Sequence, residues 1–160
     1  MITKREHGHH YQASLSWEGN LGTGTSSYSG YGRNFRIRLA GKGDLVGSAD
    51  PAFRGDPDKP NPEDLLVAAL SSCHMLSYLA LCARRGIAVV AYEDEALGTM
   101  VVTPEGGGRF TEVTLQPKVS ILGEEHRSLA MALHDQAAKE CFIAASCAFP
   151  VRHAPIITCL

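Results

Sequence analysis

Large or apolar side chains alternate with small polar ones over residues 11–17, and Phe35, Ile37 and Leu39 alternate with Arg36 and Arg38 over residues 34–39. A period of two marks a half-buried strand, so these segments predict the first two strands of a meander. Residues 18–32 between them are glycine-rich and have no apolar period, which predicts a long loop. Gly41-Lys42-Gly43-Asp44 predicts a turn into a short third strand over residues 45–48. Residues 50–60 hold three prolines and several charges, a loop with no core of its own.

The pattern then changes. From Leu65 to Ala83, nineteen residues carry no charge except one that His74 can acquire. Asn61 suits a helix cap, Pro62 the first helical position, and Glu63 and Asp64 the positive end of the dipole. Arg84 and Arg85 suit the negative end and Gly86 the stop, so a helix is predicted from residue 62 to about 84. Its apolar length is just enough to span a membrane. Ser71, Ser72, His74, Ser77 and Tyr78 argue against that, as does the amphipathic character of the rest of the chain. A helix hydrophobic nearly all round also suits the centre of a domain or of a dimer, and that is the expectation.

Two more apolar stretches, 87–103 and 109–121, flank glycines 106–108, a hairpin signal, and Gly98 suggests a bulge. Residues 124–145 have helical spacing, with Leu129, Ala132, Leu133, Ala137 and Ala138 on one stripe, and Pro150 precedes a last strand over residues 151–158. The order β-β-β-α-β-β-α-β predicts an α+β fold. No repeat or linker divides it, so residues 1–160 are expected to form a single domain.

Composition removes several functions. The formal net charge of −2 offers no basic surface for nucleic acid or an anionic membrane. The polar start of the chain lacks the apolar segment of an export signal, so a cytoplasmic protein is expected, and structural disulfides are rare in that compartment. Five cysteines, an odd number with no Cys-x-x-Cys pair, suggest neither a disulfide framework nor a zinc site. The thiols are expected to be reduced, and any disulfide to be transient.

Cys73 lies about three turns inside the first helix. It is either an inert core filler or a protected redox centre. The dipole is too remote there to stabilise a thiolate, so a reactive Cys73 needs a cation from elsewhere in the fold. Arg33, Arg36 and Arg38 are the candidates. Arg36 and Arg38 suit a solvated strand face, and Arg33 stands at the strand entrance. Glu63 has an adequate structural role in the first helical turn, and Cys141 an adequate one inside the second helix. Cys82 is nine positions after Cys73 and points to the opposite side, into the core. His74 points about 100° away from Cys73, so the two are not expected to form a catalytic pair. His7, His9 and His10 lack ligand spacing and are expected to bind no metal. Cys147 and Cys159 carry no accompanying signal.

Taken together, Asn61-Pro62-Glu63-Asp64-Leu65-Leu66, Ser72-Cys73-His74 and Cys141-Phe142-Ile143-Ala144 resemble the family of osmotically inducible protein C and the organic hydroperoxide resistance proteins. Trp17-Glu18-Gly19-Asn20, Gly22-Thr23-Gly24-Thr25, Tyr31-Gly32-Arg33 and Gly47-Ser48-Ala49-Asp50-Pro51-Ala52-Phe53 extend the resemblance over nearly the whole chain. It implies a thiol peroxidase acting on organic hydroperoxides, with Cys73 as the attacking cysteine and Cys141 as the resolving one. It further implies that Arg33 activates the thiolate, that Glu63 orients Arg33, and that the fold is an intertwined homodimer with sites at the subunit interface. A dithiol reductant, lipoyl or thioredoxin-like, is implied as partner, and no cofactor, metal or membrane. The segment after Cys141 differs from the Cys-Pro-Tyr-Ser form of the hydroperoxide resistance branch, which places the chain in the osmotically-inducible-like part of the family. Cys147 is an additional thiol able in principle to resolve a sulfenic acid.

Helix geometry bears on the dimer. Glu63 and Cys73 are ten residues apart, about 15 Å along one helix. A single arginine serving both requires either a break in the helix or a second subunit. Two other functions fit the same residues: a dimeric module that binds a hydrophobic ligand, and a redox sensor that reacts once and passes its oxidation to a partner.

Overall fold

The computed structural model describes residues 8–160, so His7 and the polar start of the chain lie outside the described residues. Two compact units are present, one ending at Asp64 and the other running from Leu65 to Leu160.

In the first unit, β1 (Ala13–Trp17), β2 (Phe35–Leu39) and β3 (Asp44–Gly47) form the expected antiparallel meander in that order. Leu15 pairs with Ile37 and Ile37 with Leu45, which puts the alternating apolar residues on one face. On the opposite face Arg36 binds Glu18 at 2.7 Å and Asp44 at 3.5 Å. The glycine-rich loop closes on itself. The indole N–H of Trp17 donates to the Gly32 carbonyl at 2.8 Å, and Gly32 N–H donates to Gly19 O at 2.8 Å. Those contacts need a residue without a side chain, because a Cβ on Gly19 would fall 1.8 Å from Gly32 O.

α1 runs unbroken over Pro62–Arg84. Its start is a reciprocal cap: Asn61 Oδ1 accepts the Asp64 N–H at 2.8 Å, and Asp64 Oδ2 accepts the Asn61 N–H at 3.0 Å. Gly86, at φ 73°, turns the chain out of it. Leu70, His74, Tyr78, Leu81 and Cys82 form its buried stripe. The helix is therefore buried along one side of this chain and not all round, and Leu76, on the other side, is 63% exposed.

The three expected strands after α1 are each two. β4 (Val89–Asp94) and β5 (Leu97–Val102), β6 (Gly108–Leu115) and β7 (Pro117–Ile121), and β8 (Val151–His153) and β9 (Ile156–Cys159) are divided by breaks of one or two residues. At each break the chain changes sheet, giving one sheet ordered β4-β7-β9 and another ordered β5-β6-β8. Prolines mark two of these breaks, and a bond distant in sequence acts at the joint between β6 and β7. Pro117 and Pro155 have no N–H to give a ladder. The Gln116 N–H leaves the ladder for Asp94 Oδ1 at 2.7 Å, and the other Asp94 oxygen accepts from Ser71 of α1 at 2.5 Å. The register shift in β5 falls between Thr99 and Met100 and not at Gly98. Gly98 answers to packing, since a Cβ there would lie 2.8 Å from both Phe110 and Val67.

The second helical stretch also divides, into α2 (Arg127–Glu140) and a four-residue α3 (Phe142–Ala145). The buried stripe of α2 is Ala130, Leu133, His134 and Ala137. That is one residue round from the expected stripe, and Leu129 and Ala132 face outward. Two apolar clusters fill the second unit, one around Tyr78, Leu81, Ile121 and Leu133 and the other around Leu70, Val113 and Leu115. His74 stands four residues after Leu70 and four before Tyr78, at the seam between them.

Candidate active site

The break between α2 and α3 falls on Cys141. This residue is extended (φ −75°, ψ 105°), not helical as the spacing suggested. No proline or glycine stands there to break the helix. The thiol takes over the cap, with Sγ accepting the Ala144 N–H at 3.4 Å. Cys141 is buried, and its thiol is pushed up to about 11, by burial first and then by its hydrogen bond with the Cys73 thiol. The fold thus brings together two cysteines that are 68 positions apart in the sequence (141 − 73). All five thiols are free.

Cys73, half-buried, lines an open cleft of about 910 Å³ whose walls are largely apolar, with Leu76, Ala80, Phe142 and Ile143. Arg84 and Lys139 supply its positive charge. Phe142 is 81% exposed, a large aromatic left without cover. Cys147 packs on the Leu70 cluster and donates to the Ile143 carbonyl at 3.3 Å. Cys82 is buried on the far side of α1 as its 900° offset requires, and burial raises its pKa. Cys159, half-buried at the end of β9, is raised by burial and by Glu124.

Arg33 and Glu63 belong to the first unit. The Arg33 guanidinium donates to the carbonyls of Tyr31 and Tyr28 and lies 3.9 Å and 4.6 Å from the centres of those two rings. Carbonyls and ring faces hold the cation without neutralising it, which leaves its charge available to an anion. Glu63 is half-buried in the first turn of α1.

Sequence reasoning missed a cluster of rings behind the cysteines. His74 Nε2 meets His134 Nδ1 at 3.0 Å, the two rings are nearly parallel, and His134 stacks on Tyr78 at 3.8 Å. His153 completes the group, 5.5 Å from His74 between ring centres, and its Nε2 binds Asp135 Oδ1 at 2.9 Å. Burial, then the positive charge of neighbouring histidines, holds His74 down at about 4 and His134 at about 3. Both are therefore neutral at physiological pH. A signal did exist: His134 occupies a core position in the period of α2, where a titratable ring needs a partner. Among the described residues, no group of three His, Cys, Asp or Glu side chains is arranged to hold a metal ion.

Comparison with known proteins places these features. A family profile described as OsmC-like protein matches residues 55–154. An OsmC-like protein of unknown function from Vibrio cholerae is 28% identical, over 93% of this chain and 100% of that one, with a TM-score of 0.79. An organic hydroperoxide resistance protein from Elizabethkingia anophelis is 14% identical over 98% of this chain and 100% of that one, with a TM-score of 0.67. The organic hydroperoxide resistance protein OhrB of Bacillus subtilis is 17% identical over 94% of this chain and 98% of that one, with a TM-score of 0.62. The last two share the fold. No curated protein matches the sequence.

Proposed function

The chain belongs to the OsmC-like protein family, and we propose that it is a cysteine-based peroxidase that reduces organic hydroperoxides. The observation that carries this reading is the nearness of the Cys73 and Cys141 thiols, close enough for one to raise the pKa of the other, with Cys73 lining an apolar cleft. Two reduced thiols held together at the edge of a hydrophobic cleft suit a substrate with an apolar body and a reactive O–O bond. Structural neighbours named as organic hydroperoxide resistance proteins support the same class of chemistry.

In this mechanism the Cys73 thiolate attacks the terminal peroxide oxygen, the alcohol leaves, and Cys73 becomes a sulfenic acid. Cys141 then displaces water to form the Cys73–Cys141 disulfide, and a dithiol, lipoyl or thioredoxin-like, reopens it by exchange. Arg33 stabilises the thiolate and the departing alkoxide, and Glu63 orients Arg33. The unbroken run of α1 keeps Glu63 and Cys73 about 15 Å apart along its axis, so one arginine serving both calls for a second subunit. A homodimer would also cover the open apolar side of α1, as burial of nonpolar surface favours. On this proposal it belongs to the cytoplasm, a compartment in which thiols stay reduced.

The test is consumption of cumene hydroperoxide with a dithiol donor, by the parent and by Cys73→Ser. Activity is expected to vanish in the variant. Survival of activity would sink the assignment. Five free thiols after peroxide treatment would favour a binding module for an apolar ligand instead.

A further inference from the structure

The resolving thiol lacks a base. Cys141 is buried, and with a pKa pushed up to about 11 it keeps its proton at neutral pH. A thiolate, not a thiol, is the nucleophile that closes a disulfide. Something must remove that proton during turnover.

A small cavity beside the thiol contains the candidates. Cys141, His74 and His153 all line a space of about 20 Å³, enough for one water molecule. Of the two rings, His74 is engaged through Nε2 with His134 Nδ1. His134 Nε2 is buried without a partner, and an orphaned lone pair is tolerated better than an orphaned N–H. His134 is therefore the donor in that bond, and His74 carries its own hydrogen on Nδ1. It faces its surroundings as a donor and has no lone pair to offer.

His153 is the reverse case. Its Nε2 donates to Asp135 Oδ1 at 2.9 Å, which fixes the hydrogen on Nε2 and leaves the lone pair on Nδ1. Carboxylate and imidazole are hydrogen-bonded, and the sulfur lines the same one-water cavity as the imidazole, so a bridging water would complete the order that activates nucleophiles in hydrolytic enzymes. We propose that His153 is the general base that takes the Cys141 proton through one water held in the shared cavity, with Asp135 as its positioning residue.

The role rests on the peroxidase reading and adds a step to it. The cavity water takes the proton of Cys141 Sγ–H as it passes its own to His153 Nδ1, and the thiolate attacks Sγ of the Cys73 sulfenic acid. The S–S bond forms as the S–O bond breaks, and hydroxide leaves with the proton from His153 as water. Cys141 sulfur is oxidised and the sulfenic sulfur reduced, so no further oxidant is needed. Around the imidazolium stand His74 of α1, His134 and Asp135 of α2, and Arg152, which is paired with Glu112 of β6 at 3.3 Å. Asp135 is the partner that balances the new charge.

The experiment is a single turnover with one equivalent of cumene hydroperoxide between pH 5.5 and 9, following sulfenic acid and disulfide separately by acid quench and mass spectrometry. With His153→Gln, sulfenic acid is expected at the parent rate. Disulfide closure is expected to slow about 100-fold at pH 7 and to rise about tenfold per pH unit, as general-base loss predicts. Asp135 has a side chain that is 75% exposed, so Asp135→Asn tests the same relay without threatening the fold. Closure is expected to slow at least tenfold there. Parent-like closure and an unchanged pH profile in either folded variant would overturn the base role and leave the peroxidase reading standing. Absence of a Cys73 sulfenic acid in the parent would overturn the peroxidase reading, and the base role with it.

Discussion

Mild acid should destabilise this protein well before its carboxylates titrate. His74 and His134 are only 1% and 0% exposed, so a proton on either ring would be a charge out of reach of solvent. Their folded pKa values, about 4 and about 3, lie below the ordinary 6.5 that an unfolded chain restores. Between those limits the unfolded state binds more protons, so stability rises with pH through the window and is lost as pH falls through it. At pH 5 each ring contributes about 2 kcal/mol of this loss, or about 4 kcal/mol for the pair relative to pH 8. Urea unfolding at the two pH values reads it directly, as a drop in midpoint of roughly 2 M for a slope near 2 kcal/mol/M. Carboxylates are nearly all ionised at pH 5, which isolates the histidines. The rings are nearly parallel at 5.3 Å between centres, so a His74→Phe/His134→Phe double variant keeps much of the packing and is expected to lose most of the pH dependence. A parent that loses less than about 1 kcal/mol, or a double variant with the parent's slope, would refute the reasoning.

Three further outcomes are expected. Cys141→Ser should consume one equivalent of hydroperoxide per chain and stop, with the Cys73 sulfenic acid trapped by dimedone; undiminished multiple turnover would remove Cys141 from the resolving role. Asn61→Ala removes the acceptor of the Asp64 N–H and should cost about 1 kcal/mol in chemical denaturation, and an unchanged midpoint would mean that the cap is dispensable. Gly19→Ala places a Cβ 1.8 Å from the Gly32 carbonyl, next to the residues that cradle Arg33. It should cost at least about 2 kcal/mol through backbone displacement, and a parent-like melting profile would count against the tight closure of that loop.

Much of the fold was legible because its signals are local. The cap at Asn61, the stop at Gly86 and the alternation around Arg36 and Arg38 depend on neighbours within a few positions, and each lies where the sequence placed it. The long strands were read as single because hydrophobic periodicity does not register a change of sheet. Gln116 leaves its ladder for Asp94, 22 positions away, and no local pattern contains that partner. The stripe of α2 was read one residue out because His134 counts as polar in a sequence. Its bond to His74 makes it a core residue.

The chain by itself determined the α+β order, the long apolar helix, the family, and the candidates Cys73, Cys141, Arg33 and Glu63. Tertiary structure decided that the Cys73 and Cys141 thiols lie near one another, that Cys141 breaks its helix and caps the next one, and that His74, His134 and His153 cluster together. The physical reason is range. Capping, turn chemistry and periodicity act over a few residues, whereas the protonation of a buried thiol or imidazole is set by whatever the fold packs against it, however distant in sequence.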